Sequence, residues 1–143
     1  MALPSLNFHS THAASVVQRQ LDAYNDKNIE ALLATYAPDA ELYEHPCVLL
    51  AKGTDALRER FLTRFREPDL HAALLRRIVT GNFVIDHEWV TRNFPDGRGT
   101  LELTMIYEVK SARIARAWMI VGPKQLPGDQ TNDVHATVVS MKS

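Results

Sequence analysis

The sequence predicts an α+β fold, and three observations carry that reading. Helical spacing of apolar residues in the first half gives way, from Leu70 onward, to strand-like runs rich in Ile, Val, Leu, Trp and Tyr. The breakers between those runs, Gly81-Asn82, Pro95 to Gly99 and Lys110 to Arg113, are so short that successive strands must be antiparallel neighbours. Finally, 143 residues at 45% hydrophobic and 23% charged suit one domain with an ordinary buried core. Helices first and a meander second give a segregated layer arrangement: three N-terminal helices packed on a curled, mostly antiparallel sheet.

In chain order, residues 1–10 read as an irregular arm, residues 11–122 as the domain, and residues 123–143 as a linker-like tail. In that tail Val134, Ala136 and Val138 alternate as an edge strand would. Ser10 or Thr11 is expected to cap the first helix, whose buried face is Ala13, Val16, Val17, Leu21 and Tyr24. Asn25 to Asn28 break it, and a second helix follows with the stripe Ile29, Leu32, Leu33 and Tyr36, ended by Pro38. Ala40 to His45 alternates as a short strand, with Tyr43 and His45 on one face and Leu42 and Glu44 on the other. Pro46 restrains His45 to an extended backbone. Pro46 to Gly53 reads as a loop, apolar for its position. Thr54 and Asp55 start a third helix with Leu57, Phe61 and Phe65 inward, and Glu67 and Pro68 stop it. The meander is predicted at His71 to Thr80, Phe83 to Phe94, Thr100 to Val109 and Ile114 to Val121.

The formal net charge of −1 gives no global attraction to nucleic acid or to an anionic membrane. No basic start followed by a long apolar run marks a secretory signal, and no run is long enough to span a bilayer, so a cytoplasmic location is expected. The single cysteine, Cys47, excludes an internal disulfide framework and a thiolate zinc cluster, and it reads as a small loop residue rather than a reactive thiol. No metal and no cofactor is implied. His9 and His12 have no third ligand nearby, and Gly97 and Gly99 sit in a hairpin turn rather than a phosphate-cradling loop.

The stretches Val16-Val17-Gln18-Arg19, Asp39-Ala40-Glu41, Glu44-His45-Pro46 and Gly53-Thr54-Asp55-Ala56-Leu57-Arg58, in this order of elements, resemble the nuclear transport factor 2-like superfamily. That superfamily includes ketosteroid isomerase and the SnoaL-like polyketide cyclases. The likeness runs from about Thr11 to Val121 and implies a cone-shaped α+β barrel, with the sheet curled around the first helix to enclose a cavity. It also implies a homodimer formed through the outer sheet face, for which Arg116, Trp118 and Ile120 are the expected contacts. Ketosteroid isomerase carries its aspartate base just before the proline that ends the first strand, where this chain has His45. Its acidic tyrosine and buried aspartate align with Gln20 and Met105. An enolate formed at His45 would lack those two donors, which argues against steroid isomerisation by that mechanism.

Two histidines are the candidate catalytic groups, because imidazole titrates near neutral pH. His45 is fixed at a strand end, where it acts either as acid or base or as an anchor for the loop. His87 shares a strand face with Phe83, Ile85 and Trp89, the face that the resemblance turns inward. It is there either for chemistry or as a core histidine with a partner. The expected cavity wall comprises Gln20, Tyr24, Tyr43, Ile85, Trp89, Leu103, Met105, Tyr107, Ala117 and Met119, and suits a small hydrophobic ligand. Three functions stay open: a cofactor-independent isomerase, lyase, cyclase or hydrolase; a non-catalytic ligand-binding protein; and a dimerisation module with a filled core.

Overall fold

The computed structural model describes residues 2–128, with side chains from residue 12 onward. The edge strand expected from Val134, Ala136 and Val138 therefore lies outside the described residues. Helix α1 runs Ala2–Asn25, so the helix passes through the residues expected to form an arm and through the expected cap at Ser10 or Thr11. Pro4 does not prevent this, because it falls in the first turn, where amides have no intrahelical partner to lose. From residue 12 on, α1 buries Ala13, Val16, Val17, Gln20, Leu21 and Ala23, the spacing of one helical face. Among the described residues no helix is long and apolar enough to cross a membrane.

Helix α2 spans Ile29–Ala34 and is capped by Asn28, whose side chain accepts from the amide of Ala31 at 3.1 Å. It stops at Thr35, before Pro38. Tyr36, expected on the helix, is instead the first residue of strand β1 (Tyr36–Glu44). Pro38 is accommodated because the pairing of β1 with its neighbour is irregular between Tyr36 and Glu41, where no ladder donor is needed. Strand β2 (Val48–Lys52) occupies the stretch read as a loop and forms an antiparallel hairpin with β1. It is a sheet edge with Val48 and Leu49 exposed, so it lacks the alternation that marks a half-buried strand. Helix α3 (Thr54–Arg64) follows Gly53, which takes φ 86°, a region that favours glycine.

The meander consists of β3 (His71–Thr80), β4 (Phe83–Phe94), β5 (Gly97–Lys110) and β6 (Arg113–Gln125). The six strands lie in the order β2-β1-β6-β5-β4-β3; β1 and β6 are parallel and all other neighbours are antiparallel. Strand β6 continues past Gly122 into the residues read as tail. The sheet curls over α1, which touches β3, β4, β5 and β6. Val16, Val17, Leu32, Leu57, Val84 and Ile114 are fully enclosed between the layers. At the far edge the side-chain amide of Asn25 donates to the carbonyl of Ala72 (2.9 Å) and accepts from its amide (2.8 Å), fastening the end of α1 to β3.

Candidate functional site

Between α1, α3 and the concave face of the sheet lies a cavity of about 90 Å³, measured as space open to the centre of a water-sized sphere. At about 10–15 Å³ per water on that measure, it has room for several waters or one small organic molecule. Of the residues expected to line it, Gln20, Tyr24, Leu103, Met105, Tyr107 and Met119 do so. Tyr43, Ile85, Trp89 and Ala117 do not. Ala117 is buried in the core beside Leu42, whereas the other three belong to the outer face of the sheet.

The cause is the orientation of β4. Val84, Asp86, Glu88 and Val90 are its buried set, and Phe83, Ile85, His87 and Trp89 look away from the cavity. Large apolar side chains do not mark the inner face here because the outer face is apolar as well. There Tyr43 stacks on Trp118 with ring centres 6.1 Å apart, and Phe83 leans on the same indole. The two candidate imidazoles therefore do not meet. His45 sits exposed in the turn after β1, its amide donating to the carbonyl of Met119 at 2.9 Å. His87 Nε2 lies 2.7 Å from Glu102 Oε2 on the convex side. Neither lines the cavity.

In their place β4 brings two carboxyl groups inward, and the structure treats them differently. Asp86 is completely buried and takes the fork of Arg77, Nε to Oδ1 at 2.7 Å and Nη2 to Oδ2 at 2.9 Å. The same guanidinium donates to Gln18 at 2.8 Å. Glu88, two residues on and 4% exposed, makes no hydrogen bond or ion pair among the described residues. No fully enclosed side-chain nitrogen or oxygen among them lacks a partner, so the Glu88 carboxyl is reached from the cavity that it lines. Burial, reinforced by the nearby charge of Asp86 and only partly offset by Arg77, pushes its pKa up to about 8. At neutral pH it is mainly a carboxylic acid.

Around Glu88 stand three phenols, Tyr36 and Tyr107 buried and Tyr24 half-buried. Gln20 joins two of them: its amide nitrogen donates to the Tyr36 hydroxyl at 3.2 Å, and the Tyr107 hydroxyl donates to its carbonyl at 3.3 Å. Tyr36 thus accepts from Gln20 and keeps its own proton free to donate. Burial raises the pKa of Tyr24, Tyr36 and Tyr107, so all three stay protonated hydrogen-bond donors. Tyr24 is held edge-on by Phe61 and Phe65 of the α3 end, at 6.2 and 5.7 Å between centres.

The rim under α3 is basic. Glu67 is saturated by Arg92 (2.7 and 2.9 Å), Arg64 (3.0 Å) and the amide of Asn93 (2.8 Å). Arg60, half-buried and also on the lining, makes no hydrogen bond or ion pair among the described residues. Burial, and then the neighbouring Arg64, press its pKa downward.

Glu88 and Arg60 were not singled out from the sequence. The signal available for Glu88 was the pair Gln20 and Tyr24 on the buried face of α1, since polar groups inside require polar company opposite.

Comparison with known proteins agrees with this architecture. Residues 17–117 match the family model of the SnoaL-like domain. No match is found among curated proteins. A provisionally named polyketide cyclase from Sinorhizobium meliloti superposes with a TM-score of 0.62 at 25% identity, covering 73% of this chain and 93% of its own. A provisionally named ketosteroid isomerase from Kribbella flavida gives 0.68 at 16% identity, covering 82% and 83%. A nuclear transport factor 2-like protein of unknown function from Mesorhizobium loti gives 0.69 at 18%, covering 80% and 94%. The curled sheet on three helices is the fold of these nuclear transport factor 2-like neighbours, and the span of the family match leads to one conclusion: this chain belongs to the SnoaL-like domain family.

Proposed function

We propose that the chain is a cofactor-independent acid–base catalyst acting on a small, largely apolar organic molecule held in the cavity, with Glu88 as the group that moves the proton. One observation carries this reading: a buried, partnerless carboxyl opens on the cavity with its pKa raised to about 8. A group that titrates near the working pH can both take and return a proton without a large energetic penalty in either direction. In this scheme Glu88 transfers a proton to or from carbon or a leaving oxygen, while the free proton of Tyr36 hydrogen-bonds the substrate oxygen where negative charge builds. Isomerisation, dehydration, cyclisation and addition of water all fit that arrangement. The donors that ketosteroid isomerase takes from other positions would here come from Tyr36 and Tyr24.

The test is deuterium exchange at carbon. Small cyclic ketones incubated with the protein in heavy water are followed by NMR across the pH range around 8, with Glu88→Gln in parallel. A rate that bends near pH 8 in the parent and loses both the bend and most of its size in the variant supports the proposal. Equal rates in both proteins refute it. Tight binding without any exchange indicates a ligand-binding protein instead.

We also propose that the chain pairs with a second copy through the convex face. The exposed Ile78, Phe83 and Ile120 beside Trp118 and Arg116 support this reading. Trp118→Glu should then shift a sedimenting dimer to monomer, and a parent that sediments as a monomer ends the proposal.

A further inference from the structure

Five of the ten ion pairs among the described residues join an arginine to a carboxylate at 3.0 Å or less. Arg58 pairs with Glu30, Arg77 with Asp86, Arg64 and Arg92 with Glu67, and Arg116 with Glu108. Arg60 is the exception that faces the cavity. It lies one helical turn before Arg64, is half-buried, and feels Glu44 only through space, without a hydrogen bond or ion pair among the described residues. A guanidinium stays charged under all ordinary conditions, so partial burial without a counter-ion costs free energy that an incoming anion would recover.

The charge around the lining points the same way. Arg60, Arg64 and Arg92 face the cavity, and Glu67 is the carboxylate that answers two of them. Glu88 adds no negative charge while it is protonated. The interior is thus electropositive at the α3 end and neutral and aromatic at the other. A planar fork beside an apolar chamber fits a carboxylate attached to a hydrocarbon body.

We infer that the ligand is a small apolar carboxylic acid, bound as its anion, with the carboxylate held by Arg60 and the hydrocarbon part lying toward Tyr24, Leu103 and Glu88. This inference rests on the cavity being a ligand site, and it adds the chemical class of the ligand. The body of the molecule then presents its reacting oxygen or carbon to Glu88, remote from the anchoring carboxylate. Protonation of Glu88 and anion binding support each other, because an ionised Glu88 would repel the same ligand.

The experiment compares matched acid and alcohol probes by calorimetry on the full chain at a pH between 6 and 7. Benzoate and cyclohexanecarboxylate are titrated beside benzyl alcohol and cyclohexylmethanol, into the parent, Arg60→Gln and Arg60→Lys. The acids should bind at least about tenfold more tightly than the matching alcohols, a ratio worth about 1.4 kcal/mol. Arg60→Gln should remove that preference by weakening the acids at least about tenfold more than the alcohols, whose continued binding also shows that the variant is folded, and Arg60→Lys should keep part of it. If alcohols bind as well as acids, the assignment of an anionic ligand is wrong while the cavity remains a ligand site. If no probe binds the parent at all, both readings fall together.

Discussion

Replacing Glu88 by glutamine isolates the free energy stored in one protonated carboxyl. In the unfolded chain this group titrates near the usual 4.5, and in the folded protein near 8, chiefly because burial penalises its charged form. The folded state therefore holds a proton that the unfolded state has released. Stability contributed by Glu88 is complete below pH 4.5, declines as pH rises toward 8, and is flat beyond. At about 1.4 kcal/mol for each pH unit, the interval corresponds to a loss of about 5 kcal/mol, an upper figure because cavity water will solvate part of the charge. Glutamine has the same shape and no charge at any pH, and every other titrating group is common to both proteins. The difference in unfolding free energy between Glu88→Gln and the parent should therefore move in favour of the variant by several kcal/mol as pH rises from 4.5 to 8. Urea unfolding followed by the fluorescence of Trp89 and Trp118 at a series of pH values measures this directly. A difference that stays constant with pH would mean that the Glu88 carboxyl titrates as in water. The cavity would then be no special environment, and the acid–base mechanism would lose its basis.

Two further perturbations test the buried polar framework. Arg77→Met leaves the completely buried Asp86 without its fork and should cost about 3–5 kcal/mol at neutral pH by urea unfolding, because the stranded carboxylate has no other strong partner. A cost near zero would show that Asp86 is solvated. Gln20→Leu removes the link between the Tyr36 and Tyr107 hydroxyls and should destabilise the fold by about 1–3 kcal/mol. It should also weaken any proton exchange at carbon, since Tyr36 would no longer be held in place, and a fully active variant would exclude that positioning role.

The fold was legible in the sequence wherever a pattern was bounded by strong breakers. Strands β3 and β4 fall where Gly81-Asn82 and the hydrophobic runs predict them, and α3 begins at Thr54 as its first-turn chemistry implies. The errors have physical causes. Strand β2 escaped because an edge strand with Val48 and Leu49 exposed shows no alternation to detect. Tyr36 was read as helical because its spacing fits the stripe of α2, whereas the phenol is used instead as the first inward residue of β1. The inner face of β4 was misassigned because both faces of this sheet carry apolar groups. The resemblance pointed to the face of Phe83, Ile85, His87 and Trp89, but the decisive fact is tertiary: Arg77 from β3 neutralises Asp86 and so permits the acidic face to turn inward. Alternation along β4 then sends His87 outward as soon as Glu88 goes in, so the two imidazoles do not share the cavity.

The clasp of Asn25 on Ala72 has a consequence at the rim of the sheet. Strand β3 is an outermost strand, and its unpaired peptide groups are a template on which a foreign strand could add. One side-chain amide occupies both the donor and the acceptor of Ala72, standing in for a residue of a seventh strand at that point. Asn25 thus guards the border against edge-to-edge growth, and trimming it to alanine would bare that peptide and invite self-association there.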